Sequence, residues 1–316
     1  MAGFSYAANE HLVRTNIWSP QIKETFLDEL FAQKYVDWID FPDGDTLNIP
    51  SIGQAEVNDF SELEALRYTA MDTGNFTFTI DQYKSSATWI TERMKQDSFY
   101  MSRLVAAFVP KQHRALMKAV EVKVLDVGPT AQTASDLNTI NGGDHRFMAS
   151  GTSAVIQPKD FARAGYALDM ANVTQANRVA IVHPSVGYAL ETMTNLVNMS
   201  NNPRWEGIIT TGISTGMYFV KNVFGFDVYV SQNLKTITSE TINSVASGAN
   251  AIANIFFSAA PDYLPFVGSI RQPPKVDSKY NMDLQREEYA TTMRYGVKLF
   301  RAEGLVTVIS ATDQVS

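Results

Sequence analysis

The 316-residue chain contains no cysteine, which excludes disulfide scaffolds, thiolate metal sites and cysteine nucleophiles together and leaves stability to packing and assembly. It also lacks a long hydrophobic run, since no segment approaches the roughly 20 consecutive apolar residues that cross a bilayer. The amino terminus, MAGFSYAANEHLVRTNIW, has no basic stretch leading into an apolar one, so it does not read as a secretory signal, and synthesis in the cytoplasm is expected. Positive charge is in deficit. Lys and Arg number 26 against 33 Asp and Glu, a net charge of -7 at pH 7. That balance opposes generic attachment to a nucleic-acid backbone, which draws its affinity from counterions released by basic side chains. Enclosing nucleic acid without gripping it stays open. The charged fraction, 19% beside 45% hydrophobic residues, is low for a chain that exposes all its surface and points weakly to oligomerisation.

What is present most distinctively is a two-stranded pattern. In DGDTLNIPSIG (Asp43 to Gly53), Leu47 and Ile49 alternate with polar residues. In NFTFTIDQYKSSATWI (Asn75 to Ile90), Phe76, Phe78 and Ile80 do the same. This is the period of a half-buried antiparallel ribbon. A lone hairpin is marginal in water, and residues 54 to 74 offer it no core, so the ribbon is expected to lie on another surface, that of a neighbouring copy.

Around it the chain reads as α+β. Ser19 and Pro20 open an amphipathic helix (Ile22, Phe26, Leu27, Leu30, Phe31) that ends near Gln33. Residues 92 to 125 carry the longest helical pattern, interrupted by Pro110, so a kinked helix or two collinear ones are expected. Gly128 to Ala154, rich in small polar residues, reads as a long surface loop. A helix over Pro158 to Gln175 feeds a short buried strand (Val179, Ile181, Val182) that stops at Pro184. Another helix comes next, closed by Asn201, Asn202 and Pro203. Met217 to Leu234 reads as two strands joined near Phe224 and Gly225, with further strands over Ala251 to Phe257 and Tyr289 to Ile309.

Chemical motifs are weak. Gly212, Ser214 and Gly216 fit G-x-S-x-G, the elbow that presents a hydrolase serine between strand and helix. The residues after Ser214, MYFVKNVF from Met217, are strand-like, and the last histidine, His183, precedes the serine, so a flexible loop explains the glycines better. The histidines His11, His113, His145 and His183 stand far apart, without the spacing that puts two metal ligands on one helical face. Gly207 to Gly216 lacks the G-K-[ST] ending of a phosphate-binding loop. No metal, nucleotide or cofactor is implied.

Charge says more. Glu56, Asp59, Glu62, Glu64 and Asp72 surround the single base Arg67 between Gln54 and Gly74. From Glu92 to Lys123 the bases Arg93, Lys95, Arg103, Lys111, Arg114, Lys118 and Lys123 outnumber the acids. The expectation is an inter-subunit contact in which Glu56, Asp59, Glu62 and Glu64 of one copy meet Arg93, Arg103, Lys111, Arg114 and Lys118 of the next, setting register and steering assembly. The plain alternative is two solvated faces, since exposed ion pairs contribute only ~0 to 1 kcal/mol each.

The order of these parts resembles the major capsid proteins of tailed bacteriophages, with the Hong Kong 97 capsid fold. DGDTLNIPSIG and NFTFTIDQYKSSATWI are similar to the two strands of that family's extended loop, and residues 92 to 125 to its spine helix. NRVAIVHPSVGYAL with MYFVKNVFGFDVYV is similar to the core of its axial domain. The resemblance covers roughly residues 19 to 310 through soft apolar spacing. It divides the chain into 1–42, an amino-terminal arm with a short helix; 43–91, the extended β-hairpin loop; 92–157, the peripheral domain's spine helix and a surface loop; 158–265, the axial domain; and 266–316, return strands of the peripheral domain. With only about forty residues before the loop, it is most similar to short coats that use a separate scaffolding protein, with no fused scaffold and no maturation cleavage. Some relatives join a lysine to a neighbour's asparagine. Lys84 lies close to the loop, but no partner or acid matches, so that chemistry is not carried over.

The resemblance implies a non-enzymatic coat subunit of an icosahedral shell around double-stranded DNA, built of hexamers and pentamers. Its implied partners are a scaffolding protein, a portal protein at one vertex and, at 128–154, a cement or decoration protein. The implied location is the virion capsid, assembled in the host cytoplasm. Rival readings are an encapsulin-like compartment shell, a serine hydrolase using Ser214, and a tail or surface-layer component.

Overall fold

A computed structural model describes residues 30–40, 44, 46–52, 57, 59, 62, 73–97, 101–132, 138–192, 219–242, 244–248 and 250–312. The short helix expected from Ser19 therefore lies almost wholly outside the described residues; a single 3-10 turn, Ala32–Tyr35, is seen at its expected end. After it come β1 (Val36–Trp38), β2 (Thr46–Ile52), β3 (Thr73–Thr79), β4 (Gln82–Thr91), α1 (Glu92–Asp97) and α2 (Met101–Ala131). The middle of the chain adds β5 (Thr139–Ile140), β6 (Gly143–Asp144), β7 (Arg146–Met148), α3 (Pro158–Met170), β8 (Arg178–Val182) and α4 (Pro184–Thr192). The carboxyl-terminal part holds β9 (Phe219–Val223), β10 (Phe226–Val230), β11 (Thr236–Ile237), β12 (Thr241–Ile242), β13 (Val245–Ala246), β14 (Ala251–Ser258), β15 (Phe266–Asn281), β16 (Arg286–Leu299) and β17 (Leu305–Ala311).

Two sheets organise the chain. One has four strands in the order β1-β15-β16-β4; the other has seven, β7-β17-β14-β8-β10-β9 with β11 beside β14. Strands β8 and β14 are buried along their whole length, and their continuous apolar runs suit a layer covered on both faces. On one face of the seven-stranded sheet, Phe161, Ala164 and Leu168 of α3 pack with Val186 and Leu190 of α4 over Phe256 and Val308. At the turn between β9 and β10, Phe224 and Gly225 both have positive φ (50° and 87°). That is the backbone of a two-residue hairpin whose twist matches its strands.

Helix α2 sits between the sheets. Its Leu116, Val120, Val124 and Leu125 share one cluster with Met293, Tyr295 and Val297 of β16 and with Ile181, Ile255 and Phe257 of the seven-stranded sheet. Of the kinked helix or two collinear helices expected around Pro110, a single helix is seen, running on from Met101 to Ala131. The proline forfeits one backbone hydrogen bond, and burial of the stripe on both sheets outweighs that loss.

Two expectations need correction. Gly128 to Ala154 is not a surface loop, because α2 continues to Ala131 and β7 pairs in parallel with β17, burying Arg146, Phe147 and Met148. A three-residue strand is too short to show a period. The ribbon returns only as far as Thr79; Gln82–Thr91 leaves it and pairs with β16 in the four-stranded sheet. Alternation continues across Ile80 and Asp81, so spacing could not mark the change of sheet. The strands expected over Tyr289 to Ile309 are β16 and β17, which lie in different sheets: β16 pairs with β15, and β17 with β14 of the seven-stranded sheet. Strand β15 makes a long hairpin with β16 that includes Pro273 and Pro274, which sit where the register shifts between Gln272 and Lys275; a bulge tolerates the missing N–H donors.

Candidate assembly surfaces

The ribbon is real. Thr46 pairs with Thr79, Leu47 with Phe78, Ile49 with Phe76 and Ile52 with Thr73 in an unbroken antiparallel register. Its root does not wait for a neighbour, contrary to the expectation from sequence. Phe78 and Ile80 are buried with Val267, and Ile39, Leu47, Phe76 and Phe300 pack around them. The Phe76 and Phe300 rings meet edge to face at 4.8 Å, and Lys298 donates to the Thr77 carbonyl at 2.7 Å. The apolar face thus rests at its base on the chain's own body.

The root is fixed by close approach as well as by burial. Gly296 of β16 lies under the chain where it leaves the ribbon: a Cβ there would come within 2.9 Å of the Thr79 carbonyl oxygen and 3.0 Å of Ile80 Cα.

A second anchor holds the segment before β1. Glu121 of α2 is fully buried, and its Oε1 accepts from the backbone N–H groups of Phe31 at 3.1 Å and Ala32 at 2.9 Å. Gln33 donates its side-chain amide to the Met117 carbonyl at 2.9 Å. Phe31 and Tyr35 stack against Tyr229 of β10, and Tyr35 against Phe257 of β14, while β1 pairs with β15. Residues 31–38 therefore touch the spine helix and both sheets. Sequence reading missed Glu121; the available signal was a carboxylate within the apolar stripe set by Leu116, Val120 and Val124.

Of the predicted contact residues, Asp59 and Glu62 are exposed, and Glu56 and Glu64 lie outside the described residues. Arg93 on α1 and Lys111 and Lys118 on α2 are exposed and Arg114 is half-buried, while Arg103 falls on a stretch of α2 whose side chains are not described. Two other bases of that run are engaged within the chain. Lys95 pairs with Glu287, and Lys123 lies 3.8 Å from Asp81. The Glu287 carboxylate holds the Lys95 ammonium above its ordinary value and is itself held down by it.

Lys118 and Lys123 instead border a groove of about 570 Å³ between α2, the start of β4 and the segment before β11. Lys84 and Lys235 complete its basic rim, and Ala115, Ala119, Val122 and the buried Tyr295 form the floor. Burial pushes the Tyr295 phenol up to about 12. Lys235 reaches Asp126 at 3.1 Å.

Ser214 and its glycines lie outside the described residues. His183 binds Ser185 Oγ through Nδ1 at 2.8 Å, and burial lowers its pKa. His145 is buried and faces the carbonyl oxygens of Gly143 and Glu303. Among the described residues no cluster of His, Asp and Glu could hold a metal ion, and no helix is long and apolar enough to cross a membrane.

A ribbon projecting from a body of two sheets that share one long helix is the architecture of a Hong Kong 97-like capsid shell protein, and solved structures match it along the whole chain. The capsid structure of cyanophage P-SCSP1u superposes with a TM-score of 0.72 at 16% identity, covering 99% of this chain and 96% of that one. The cyanophage Pam1 capsid asymmetric unit matches at 0.65 and 14%, covering 100% of both. A chain of Mycobacterium phage Che8 matches at 0.67 and 16%, covering 93% of this chain and 96% of that one. No curated protein matches. Residues 75–308 match the family of phage capsid proteins, and the chain belongs to that family. It is a major capsid protein, a structural subunit that assembles with copies of itself into the virion shell; these matches favour neither the compartment nor the hydrolase reading.

Proposed function

We propose that the subunit tiles a closed icosahedral shell around double-stranded DNA, as hexamers and pentamers of one chain, and that it performs no catalysis. Assembly takes place in the host cytoplasm on a separate scaffolding protein, with a portal protein at one vertex and a cement protein as a further partner. The observation that carries this reading is the ribbon. Its root is locked to the body by Phe78, Ile80 and Val267, and its two strands pair with each other alone, in a sheet of two, out to Ile52 and Thr73. A subunit built this way completes its packing on another copy.

The acidic residues Glu56, Asp59, Glu62 and Glu64 then approach the basic helix of the adjacent subunit, on the side bearing Arg93, Arg103, Lys111, Arg114 and Lys118, and set the register between copies. The net charge of -7 suits a shell that must release its DNA.

Negative-stain microscopy of the purified protein, alone and with a candidate scaffold, tests the reading. Polyhedral particles are expected. A persistent monomer of about 35 kDa under every condition refutes it, and tubes or flat sheets point to a tail or surface-layer component. Reversing the charge of Arg103 and Arg114 tests the register, because an unchanged yield of particles removes the acid-to-base contact.

A further inference from the structure

We propose that the hairpin of β12 and β13 is a flap, clasped by Glu240 over the buried guanidinium of Arg146, which swings open as a unit about Ser239 and Gly248 while the sheet beneath it stays folded.

The clasp closes on an arginine that is only partly provided for. Arg146 of β7 is 1% exposed and its Nη2 donates to Glu240 Oε2, but its Nε and Nη1 have no acceptor. Thr307 pairs with Arg146 across β7 and β17, and its Oγ1 has no partner either. The same holds for Oε1 of Gln132, whose amide reaches the carbonyls of His145 and Leu305. Four of the six buried side-chain N and O atoms left without a partner among the described residues thus lie in one place. Arg178 shows that the same sheet can do otherwise. It too is buried, at 5%, yet its Nε, Nη1 and Nη2 all donate, to Thr174, Gly165, Val173 and Asp169. Burial lowers the Arg146 guanidinium from its ordinary value against the pull of Glu240. Closing the flap therefore makes one ion pair and strands the donors beside it, and opening lets water reach them.

The way the hairpin is held points in the same direction. Its base is tied to β14 through Thr236 and Ile237 of β11. Beyond that, Thr241 and Ile242 pair with Ala246 and Val245 in a sheet of two, and such a hairpin is marginal by itself. Thr241, Val245 and Ala246 are exposed, while Ile242 is buried in a small cluster with Ile237, Met148 and Ile309. The hairpin joins the body at Ser239 and Gly248, where the Ser239 N–H donates to the Gly248 carbonyl at 3.2 Å and both residues have positive φ, 55° and 77°. Two such opposed positions make a hinge. Just inside it, the Ser247 N–H donates to the Glu240 carbonyl at 2.8 Å, and its Oγ accepts from the Glu240 N–H at 3.0 Å. The Glu240 carboxylate consequently travels with the hairpin and lets go of Arg146 when it moves.

Arginine modification reads the opening in the purified wild-type chain without any substitution. Phenylglyoxal condenses with guanidinium groups that solvent reaches, so Arg146 should be modified roughly tenfold or more faster than Arg178, followed by peptide mass spectrometry. Equal protection of the two overturns the flap. Hydrogen exchange gives a second readout, in which the peptide carrying Ser247 should exchange about tenfold or more faster than β14, although Ser247 is buried and hydrogen-bonded. E240Q removes the charge that holds Arg146 and should raise the hairpin rate about tenfold further, with β8 and β14 unchanged. R146M/E240L replaces the pair by apolar side chains and removes the stranded donors of Arg146, so its hairpin should exchange more slowly than wild type. Variants that shift the hairpin and β14 together, or that leave the hairpin rate alone, make the pair an ordinary structural one and refute the proposal. The comparison of Arg146 with Arg178 decides the question even where a variant does not fold.

Discussion

Replacing Gly296 by alanine is the most direct way to ask whether the ribbon's root is held by the body. The added methyl group would sit 2.9 Å from the Thr79 carbonyl oxygen, 3.0 Å from Ile80 Cα and 3.2 Å from Phe78 Cζ. Two of these three atoms are backbone, so rotation of a side chain cannot relieve the contact. Gly296 lies in a continuous stretch of β16, paired with Ser269 of β15, and cannot retreat. The chain that yields is the ribbon's, lifting off Val267 and Phe300. Overpacking of this kind costs about 1 to 3 kcal/mol.

Separation of the whole root would also expose Phe78 and Ile80, a loss of roughly 3 to 5 kcal/mol on the scale of aromatic truncations in cores. The smaller figure, a local displacement, is therefore expected to win, and the rest of the fold should keep its stability. Hydrogen exchange with mass spectrometry reads this site by site. Amides of β2 and β3 should exchange about tenfold or more faster in G296A, while those of β8 and β14 stay unchanged, and tryptic cleavage after Arg67 should accelerate. Particle yield should fall, because the ribbon no longer leaves the body in a fixed direction. Wild-type exchange across β2 and β3 in G296A would refute the claim that close packing at Gly296 positions the ribbon.

Other perturbations draw on the same geometry. Removing the Glu121 carboxylate with E121A strips two buried N–H groups of their acceptor and should destabilise the chain by about 3 kcal/mol, seen as a lowered melting temperature, with E121Q recovering part of the loss. His183 has its pKa depressed by burial, so the unfolded chain binds the extra proton first; stability should begin to fall as pH drops below the ordinary histidine value and continue to fall through the folded one. H183Q should flatten that part of the acid limb in equilibrium unfolding. Tyr295, raised to about 12, should ionise after the exposed tyrosines in an ultraviolet titration, and Y295F should remove that late step. L116A in the cluster shared by both sheets should cost about 2 to 5 kcal/mol, measured by denaturant unfolding.

How much of this could be read in advance depended on range. Alternation in Leu47, Ile49, Phe76 and Phe78 marked the ribbon, because period two is a local property of the chain, while its register came only with the structure. The helical run after Glu92 and the strand at Val179 to Val182 were equally local. What failed was any decision between partners. Nothing around Ile80 says that β3 answers to β2 and β4 to β16, since the pattern passes through without a break. Arg146 is buried by pairing with β17, far away in sequence at Thr307, and looks like a loop residue among glycines and asparagines. The charge reading gathered the bases of one helical run, whereas the lysines that line the groove come from three separate elements, Lys84 from β4, Lys118 and Lys123 from α2, and Lys235 from the segment before β11.

The division of labour between body and ribbon has a physical reason. A closed shell of identical chains needs each chain to tolerate more than one set of neighbours, and a packed core is a poor place to store that tolerance because it is close to rigid. Here α2 contributes to a single cluster with both sheets, and residues 31–38 add a second bridge through Glu121, Tyr229 and β15. Hinging the two sheets against each other would therefore break both at once. Tolerance then falls to the ribbon beyond its root and not to the root itself, which Phe78, Ile80 and Gly296 hold. Stiffening the ribbon past Leu47 and Phe78 should narrow the set of shells the subunit can build without lowering its own stability, whereas loosening the Glu121 clasp should lower stability without widening the set.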